Sequence, residues 1–431
     1  MRTIVITKVR HKREKTNPFG GISFIVRELL RRGVPHVIDK ALGKRPKQSK
    51  YSISDIILGL AYSNFCGGKR IEDTRNNKTK LANSPNINIP SPDTVARVIK
   101  KLATKTDKFK SEADIEHEFN VNMKVNQMML SVAKRLHDFQ NSSKILDYDN
   151  VLIPAEKYDS KWGYKDCAGY APGLASIDKT PVYIEGRNGN SSASYLMSDT
   201  LTRCLDFLQK NKIPIKKFRS DSAAYQKEVI ELVDSRNLEF VIKAAQNTNQ
   251  YLDYENLVWA EFERKGWKYQ SASVEYCPFG GNKVYRLVFY KCLDRETKNE
   301  NRFTGEKYVV FSIITNNWKM SDQDVLHFYS MRGKSEHNFK HLLNDFNWKR
   351  MPFSFLNENT AFLIIQAMFN VLYDFIVRKF SKVLPFVNPK GELKDFLASF
   401  ITVVAWHVFE NGEWTIEVDS MLKYERLLDA G

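Results

Sequence analysis

Apolar residues at Ile53, Ile56, Ile57 and Leu60 follow the i, i+3, i+4, i+7 spacing of one helical face, which predicts a helix starting at Ser52. A shorter helix is predicted before it, over residues 22–32. Ser91-Pro92-Asp93 marks a third start: Ser supplies a capping oxygen, and Pro has its φ preset for the first helical position. The stripe of this helix is Val95, Val98, Ile99 and Leu102, which leaves Thr94, Arg97 and Lys101 on the opposite face. From there to about residue 143 the pattern reads as polar and helical.

Beyond 143, strand and helix patterns alternate. Strands are predicted at 144–154, 181–184, 215–220 and 238–243, and helices at 194–210 and 226–233, giving a mixed α/β core. Residues 246–313 then read as β-rich, with strands at 271–276, 283–293 and 308–315 between Gly-, Asn- and charge-rich turns. Helix returns from Ser321 through Glu336 and again at 360–377. In that last stretch Gln366, Asn370 and Asp374 recur every four residues as one polar stripe, the mark of a core helix and not of a membrane span. Asn411-Gly412 between apolar runs predicts a hairpin.

The chain has 431 residues, 42% of them hydrophobic and 27% charged, enough for two or three globular domains. The N-terminus lacks the apolar block of a secretory signal, so a cytoplasmic location is expected. Cys66, Cys167, Cys204, Cys277 and Cys292 are scattered, with no paired spacing, so neither a disulfide framework nor a structural zinc is expected. Charge narrows the partners. The net charge is +16, and residues 1–50 hold fourteen Lys and Arg against Glu14, Glu28 and Asp39. A concentrated basic region implies a polyanion, and nucleic acid is the natural one.

Acids stand out at three places in the chain. Asp147 and Asp149 fall on the same face of the strand at 144–154, and Asp221 closes a second strand just before a helix, where side chains project over a sheet's carboxyl edge. Glu336 lies in a helical pattern whose shared face also carries Tyr329, Arg332 and Lys340. Carboxylates from separated elements suit hard Mg²⁺, with Mn²⁺ as a substitute, and a pair of such ions serves phosphoryl chemistry. Arg332 and Lys340 are placed to hold phosphates. His337 and His341 have ligand spacing but no third partner nearby in the chain, and are read as solvated or phosphate-contacting.

The order Asp, Asp, Glu, the phrase FRSDSAAYQKEVI and Tyr329-x2-Arg332-x3-Glu336 resemble the DDE transposases of the IS4 superfamily. The run YSMRGKSEHNFKHLLNDFNWKRMPFSFLNENTAFLII is similar, more narrowly, to the IS1380 family of bacterial insertion sequences. The resemblance spans about residues 50–425. It implies an α/β fold: an RNase H-like mixed-sheet catalytic core with a β-rich insertion, preceded by a helical DNA-binding region. The corresponding division is a basic DNA-binding region at 1–135, the core at 136–245 and 314–380, the insertion at 246–313 and a C-terminal region at 381–431.

By resemblance Asp149, Asp221 and Glu336 are the catalytic, metal-binding acids, while strand geometry alone leaves Asp147 as an alternative to Asp149. Tyr329 and Arg332 match a DNA-contacting motif. The Lys expected seven residues after the Glu is Leu343 here, and Lys340 is a substitute on the same helical face. Trp259 and Trp267 are candidates for stacking on a flipped base. The implied activity is metal-dependent cleavage and strand transfer, with binding to terminal inverted repeats and target DNA. The implied setting is a dimer on double-stranded DNA in the bacterial nucleoid, with no membrane. A decayed transposase that only binds DNA and a metal-dependent nuclease remain as alternatives.

Overall fold

The computed structural model describes residues 16–163, 165–245, 256–293 and 308–429; side chains at 293, 308–309, 334–338 and 429 lie outside the description. The start of the basic N-terminal segment and the side chains of Glu336 and His337 therefore lie outside the described residues. The chain divides into two compact units, residues 1–98 with 372–431, and residues 99–371.

The first unit opens with helices α1 (Ile22–Arg31), α2 (Val34–Leu42), α3 (Ile53–Phe65) and α4 (Thr74–Lys80), and α5 (Pro92–Leu102) follows. The Ser52 hydroxyl accepts from the Asp55 N–H and the Asp55 carboxylate accepts from the Ser52 N–H, each at 2.9 Å, a capping box that fixes where α3 begins. Almost every residue of α3 is buried, its polar ones included. That is tolerated because they are bonded: the Ser54 hydroxyl donates to Asp39 at 2.8 Å, and Asn77 donates to the Ser63 hydroxyl at 2.9 Å. On α5, Val95, Val98, Ile99 and Leu102 are buried while Arg97 and Lys101 are exposed.

The second unit is built on an eleven-stranded sheet. Residues 103–143, expected as polar helix, instead form β1 (Asp107–Lys110), β2 (Glu116–Asn120) and α6 (Met123–Leu136). β1 is a fully exposed edge strand of sequence DKFK, so no buried face marked it in the sequence. Then come β3 (Ile145–Asn150), a small three-stranded sheet of β4 (Ile153–Pro154), β5 (Lys161–Trp162) and β6 (Ala168–Tyr170), and β7 (Gly173–Ile177) and β8 (Thr180–Arg187). α7 (Met197–Lys210), β9 (Lys217–Ser220), α8 (Lys227–Ser235) and β10 (Glu239–Lys243) follow. The chain continues through β11 (Ala260–Arg264), β12 (Trp267–Tyr276), β13 (Tyr285–Leu293) and β14 (Tyr308–Thr315) to α9 (Asp322–Ser330), α10 (Gly333–Asn344) and α11 (Leu356–Phe380).

The strand order is β1-β2-β8-β7-β3-β9-β10-β14-β13-β12-β11. At its centre β8, β7 and β3 pair antiparallel, while β9 and β10 run parallel to β3. This is the RNase H-like arrangement. Strands β14 to β11 pair antiparallel and join through β14 onto β10, so the β-rich segment extends the same sheet.

Alternation along the strands sorts side chains to the two faces. Leu146, Tyr148, Phe218, Phe240 and Ile242 pack with Leu201, Cys204 and Leu208 of α7 and Val229, Ile230 and Val233 of α8. Val241, Val288 and Ile313 face the other way, onto Val325, Leu326 and Phe328 of α9. Fully burying side chains of this size contributes about 1.5–3 kcal/mol each relative to exposure, which fixes the register of the central strands.

Two residues of the polar stripe of α11 are buried, Gln366 and Asn370 at 1% and 7% exposed, while Asp374 is half-buried and pairs with Arg378. This helix is long and apolar enough to cross a membrane, yet most of its apolar stretch is buried inside the fold. The first unit closes with α12 (Leu393–Phe396), the hairpin β15 (Ala405–Glu410) and β16 (Glu413–Val418), and α13 (Arg426–Asp429). Asn411 and Gly412 both take positive φ at the hairpin turn, as a primed turn requires.

Candidate active site

β3 and β9 are neighbouring parallel strands whose register sets Asp147 beside Arg219. Two residues further along each strand stand Asp149 and Asp221, at the carboxyl edge and on the face covered by α9. Asp221 lies one residue past the end of β9 and accepts from the Ala223 N–H at 3.0 Å, capping a short 3₁₀ turn.

Asp149 accepts from the Asn150 N–H at 2.8 Å and from Nη1 of Arg332 at 2.8 Å. Burial pushes its carboxyl up to about 6; Arg332 opposes that rise and the charge of Asp221 adds to it. Two acids thus stand close enough to repel one another, with one guanidinium between α9 and α10 offsetting part of the cost.

Asp147 and Asp149 share a strand face, but their surroundings differ. Both oxygens of Asp147 are engaged by Arg219, Nε at 2.6 Å and Nη2 at 2.8 Å, in a buried bidentate pair. Burial keeps the Asp147 carboxyl above its ordinary value, with Arg219 pulling the other way. The third arm of Arg219, Nη1, donates to the Phe328 carbonyl at 2.5 Å. Arg219 is a site residue that the sequence analysis missed. Its place on that strand face was readable, as an Arg two residues before Asp221, but its partners on β3 and α9 were not.

Tyr329, Arg332, Glu336 and Lys340 were placed on one face of a single helix. Instead the helix breaks between Ser330 and Gly333, so Tyr329 ends α9, Arg332 sits in the turn, and Glu336 and Lys340 belong to α10. The bonding shows why: the Arg332 N–H bonds the Tyr329 carbonyl at 2.9 Å, one residue short of α-helical spacing, and the Phe328 carbonyl accepts from Arg219 of β9 instead of from the next backbone donor. Tyr329 is half-buried, with the Arg332 guanidinium 5.9 Å from its ring centre. Burial raises its hydroxyl pKa, and Arg332 acts against that. Lys340 is exposed on α10.

The remaining candidates make contacts of their own. The Lys291 ammonium stands 4.0 Å from the Trp259 ring centre, and Trp267 is 37% exposed. His341 bonds Asp345 at 2.7 Å, one turn along its own helix.

Among the described residues no group of three or more His, Cys, Asp or Glu is gathered for a metal ion. Asp149 and Asp221 are nonetheless a donor pair suited to a hard divalent cation. A cation between them would relieve both their repulsion and the desolvation of Asp149. The backbone of residue 336 lies on α10, the helix that follows the Arg332 turn.

Paired acids and a fixed arginine at the carboxyl edge of a sheet are an arrangement suited to metal-assisted chemistry in an α/β fold. Residues 20–383 match the family model described as transposase DDE domain group 1, and the chain belongs to that family of DDE-type transposases. Members generally act with divalent metal ions. Among solved structures, the piggyBac transposase synaptic complex with hairpin DNA, determined by cryo-EM, is similar over 89% of this chain and 80% of that one, at 10% identity and a TM-score of 0.42. No curated protein matches the chain.

Proposed function

We propose that this transposase belongs to a bacterial insertion sequence of the IS1380 family within the IS4 superfamily, binds terminal inverted repeats, and moves its element by cut-and-paste. The observation that carries the reading is the pair Asp149 and Asp221 at adjacent strand ends, with Arg332 bonded to Asp149 at 2.8 Å. In this reading Asp149, Asp221 and Glu336 hold Mg²⁺, for which Mn²⁺ substitutes. The chemistry such ions supply when bound is activation of the attacking oxygen and stabilisation of the leaving one.

The chain's own residues do the rest. Arg332 holds Asp149 in place and presents positive charge to the scissile phosphate, and Tyr329 supports the Arg332 guanidinium. Lys340, Arg97 and Lys101 are exposed cations for backbone phosphates, as a net charge of +16 favours. Asp147, bound on both oxygens, is structural. The DNA-binding role falls to residues 1–135, the β-rich insertion to 246–313 and the remaining core to 136–245 and 314–380. The protein works as a dimer on paired DNA ends in the bacterial cytoplasm, at the nucleoid.

Cleavage and strand transfer of a labelled duplex carrying the element's ends test this with Mg²⁺ or Mn²⁺. Asp149→Asn, Asp221→Asn and Glu336→Gln are each expected to lower the rate at least about a thousandfold, and Asp147→Asn no more than about tenfold. A wild type that binds the ends and never cuts would leave a DNA-binding protein in place of an enzyme. Cutting without joining would leave a nuclease.

A further inference from the structure

We propose that Arg219 is a positioning residue for this site, fixing the α9–α10 corner from which Arg332 reaches Asp149 and from which α10 carries Glu336. The inference rests on the functional reading above. It starts from the three arms of one guanidinium: Nε and Nη2 grip both oxygens of Asp147 on β3, and Nη1 grips the Phe328 carbonyl in the last turn of α9. A strand pair and a helix end are thereby tied by one planar group that has no freedom to rotate without breaking a bond.

The Phe328 carbonyl is where a capping group is needed. The Met331 N–H bonds back to His327 and the Arg332 N–H to Tyr329, so the carbonyl between them receives Arg219 instead of a backbone donor. A cation at this point also complements the negative end of α9. The Phe328 ring lies 5.0 Å from the Arg219 guanidinium and 5.3 Å from the Lys217 ammonium, so the same residue is held by its ring as well as its carbonyl.

The clamp lies one pleat below the acids, since Asp147 and Arg219 each precede an acid by two residues. The corner is held at Phe328 by Arg219 and at Arg332 by Asp149, with Arg264 bonding the Ser330 hydroxyl between them. Burial of Phe339 and Leu342 anchors the body of α10, while the Arg219 bond fixes the last turn of α9, from which the Arg332 turn departs. An ordinary buried ion pair would staple strand to strand. This one spends its third bond on the helix that precedes Arg332.

The double variant Asp147→Leu with Arg219→Met separates positioning from stability, because apolar replacement of both members of a buried pair is often neutral or stabilising to the fold. Thermal denaturation, affinity for the end-bearing duplex, single-turnover cleavage rate and the Mg²⁺ concentration for half-maximal rate are measured on the full chain. The expected result is a native melting temperature and DNA affinity, with cleavage at least about tenfold slower and a higher Mg²⁺ requirement, as a misaimed site produces. Wild-type cleavage rate and metal dependence in the folded double variant overturn the inference.

If the double variant does not fold, Arg219→Lys decides. It keeps the charge but loses the fork, and is expected to bind DNA normally and cut several-fold more slowly; an unchanged rate overturns the inference. A wild type that cuts no DNA with either metal removes the functional reading and this inference with it. A wild type that cuts, beside variants that cut equally well, removes the inference alone.

Discussion

Asp149 is a carboxylate held largely out of water beside a second carboxylate, and its pKa of about 6 records that cost. The consequence for stability has a definite sign. Because the folded pKa lies above the unfolded one, the folded chain keeps a proton between about pH 4 and pH 6 that the unfolded chain releases. Stability present below the unfolded pKa is therefore lost as pH rises through the folded value. In metal-free protein, wild type is expected to lose stability relative to Asp149→Asn between pH 4 and pH 7, by no more than about 3 kcal/mol. A divalent cation, by favouring the ionised form, should shrink that loss. Thermal melts of both proteins across this range check it, and a difference that does not vary with pH would show that Asp149 titrates normally.

At the scale of elements, the central strands are held against α11 at one tight point. A Cβ on Gly186 of β8 would meet Thr360 Oγ1 at 1.9 Å, its Cβ at 3.0 Å and its Cγ2 at 3.1 Å. Thr360 is branched and its hydroxyl donates to the Leu356 carbonyl at 2.8 Å, so no single rotation clears the clash. Gly186→Ala is expected to destabilise the protein by about 1–3 kcal/mol, with partial recovery when Thr360→Ala is added. Denaturant unfolding of the two variants measures both effects; a Gly186→Ala protein as stable as wild type would mean that α11 shifts freely.

The legibility of the sequence followed the same physics. β3, β9, β10 and β14 carry apolar positions that the sheet buries, and the strand segments were visible for that reason. β1, charged and exposed, and β7, whose sequence GLASI sets Gly and Ser among its apolar residues, were missed. Asp149 and Asp221 were legible as strand-end acids. The role of Arg219 was not, because it depends on the register of β3 against β9 and on a carbonyl more than a hundred residues away. The break between α9 and α10 was hidden for a related reason: periodicity continues across it, while the bonds that end α9 come partly from another strand.

For the whole molecule, the distribution of charge makes a quantitative claim about DNA. Cations that neutralise phosphates release condensed counterions, so the logarithm of affinity falls linearly with the logarithm of salt, by about 0.9 per phosphate contacted. Arg97 and Lys101 are exposed on α5, opposite a stripe whose Val95 and Ile99 are fully buried, so the helix is anchored by one face and presents its cations on the other. If α5 lies along the DNA backbone, Arg97→Ala with Lys101→Ala should weaken binding to end-bearing and unrelated duplexes alike, and should reduce the salt slope by about 2. If instead these cations touch base edges, the end-bearing duplex alone loses affinity. Anisotropy titrations of both duplexes over a range of salt separate the two cases, and an unchanged slope with unchanged affinity would place α5 away from the DNA.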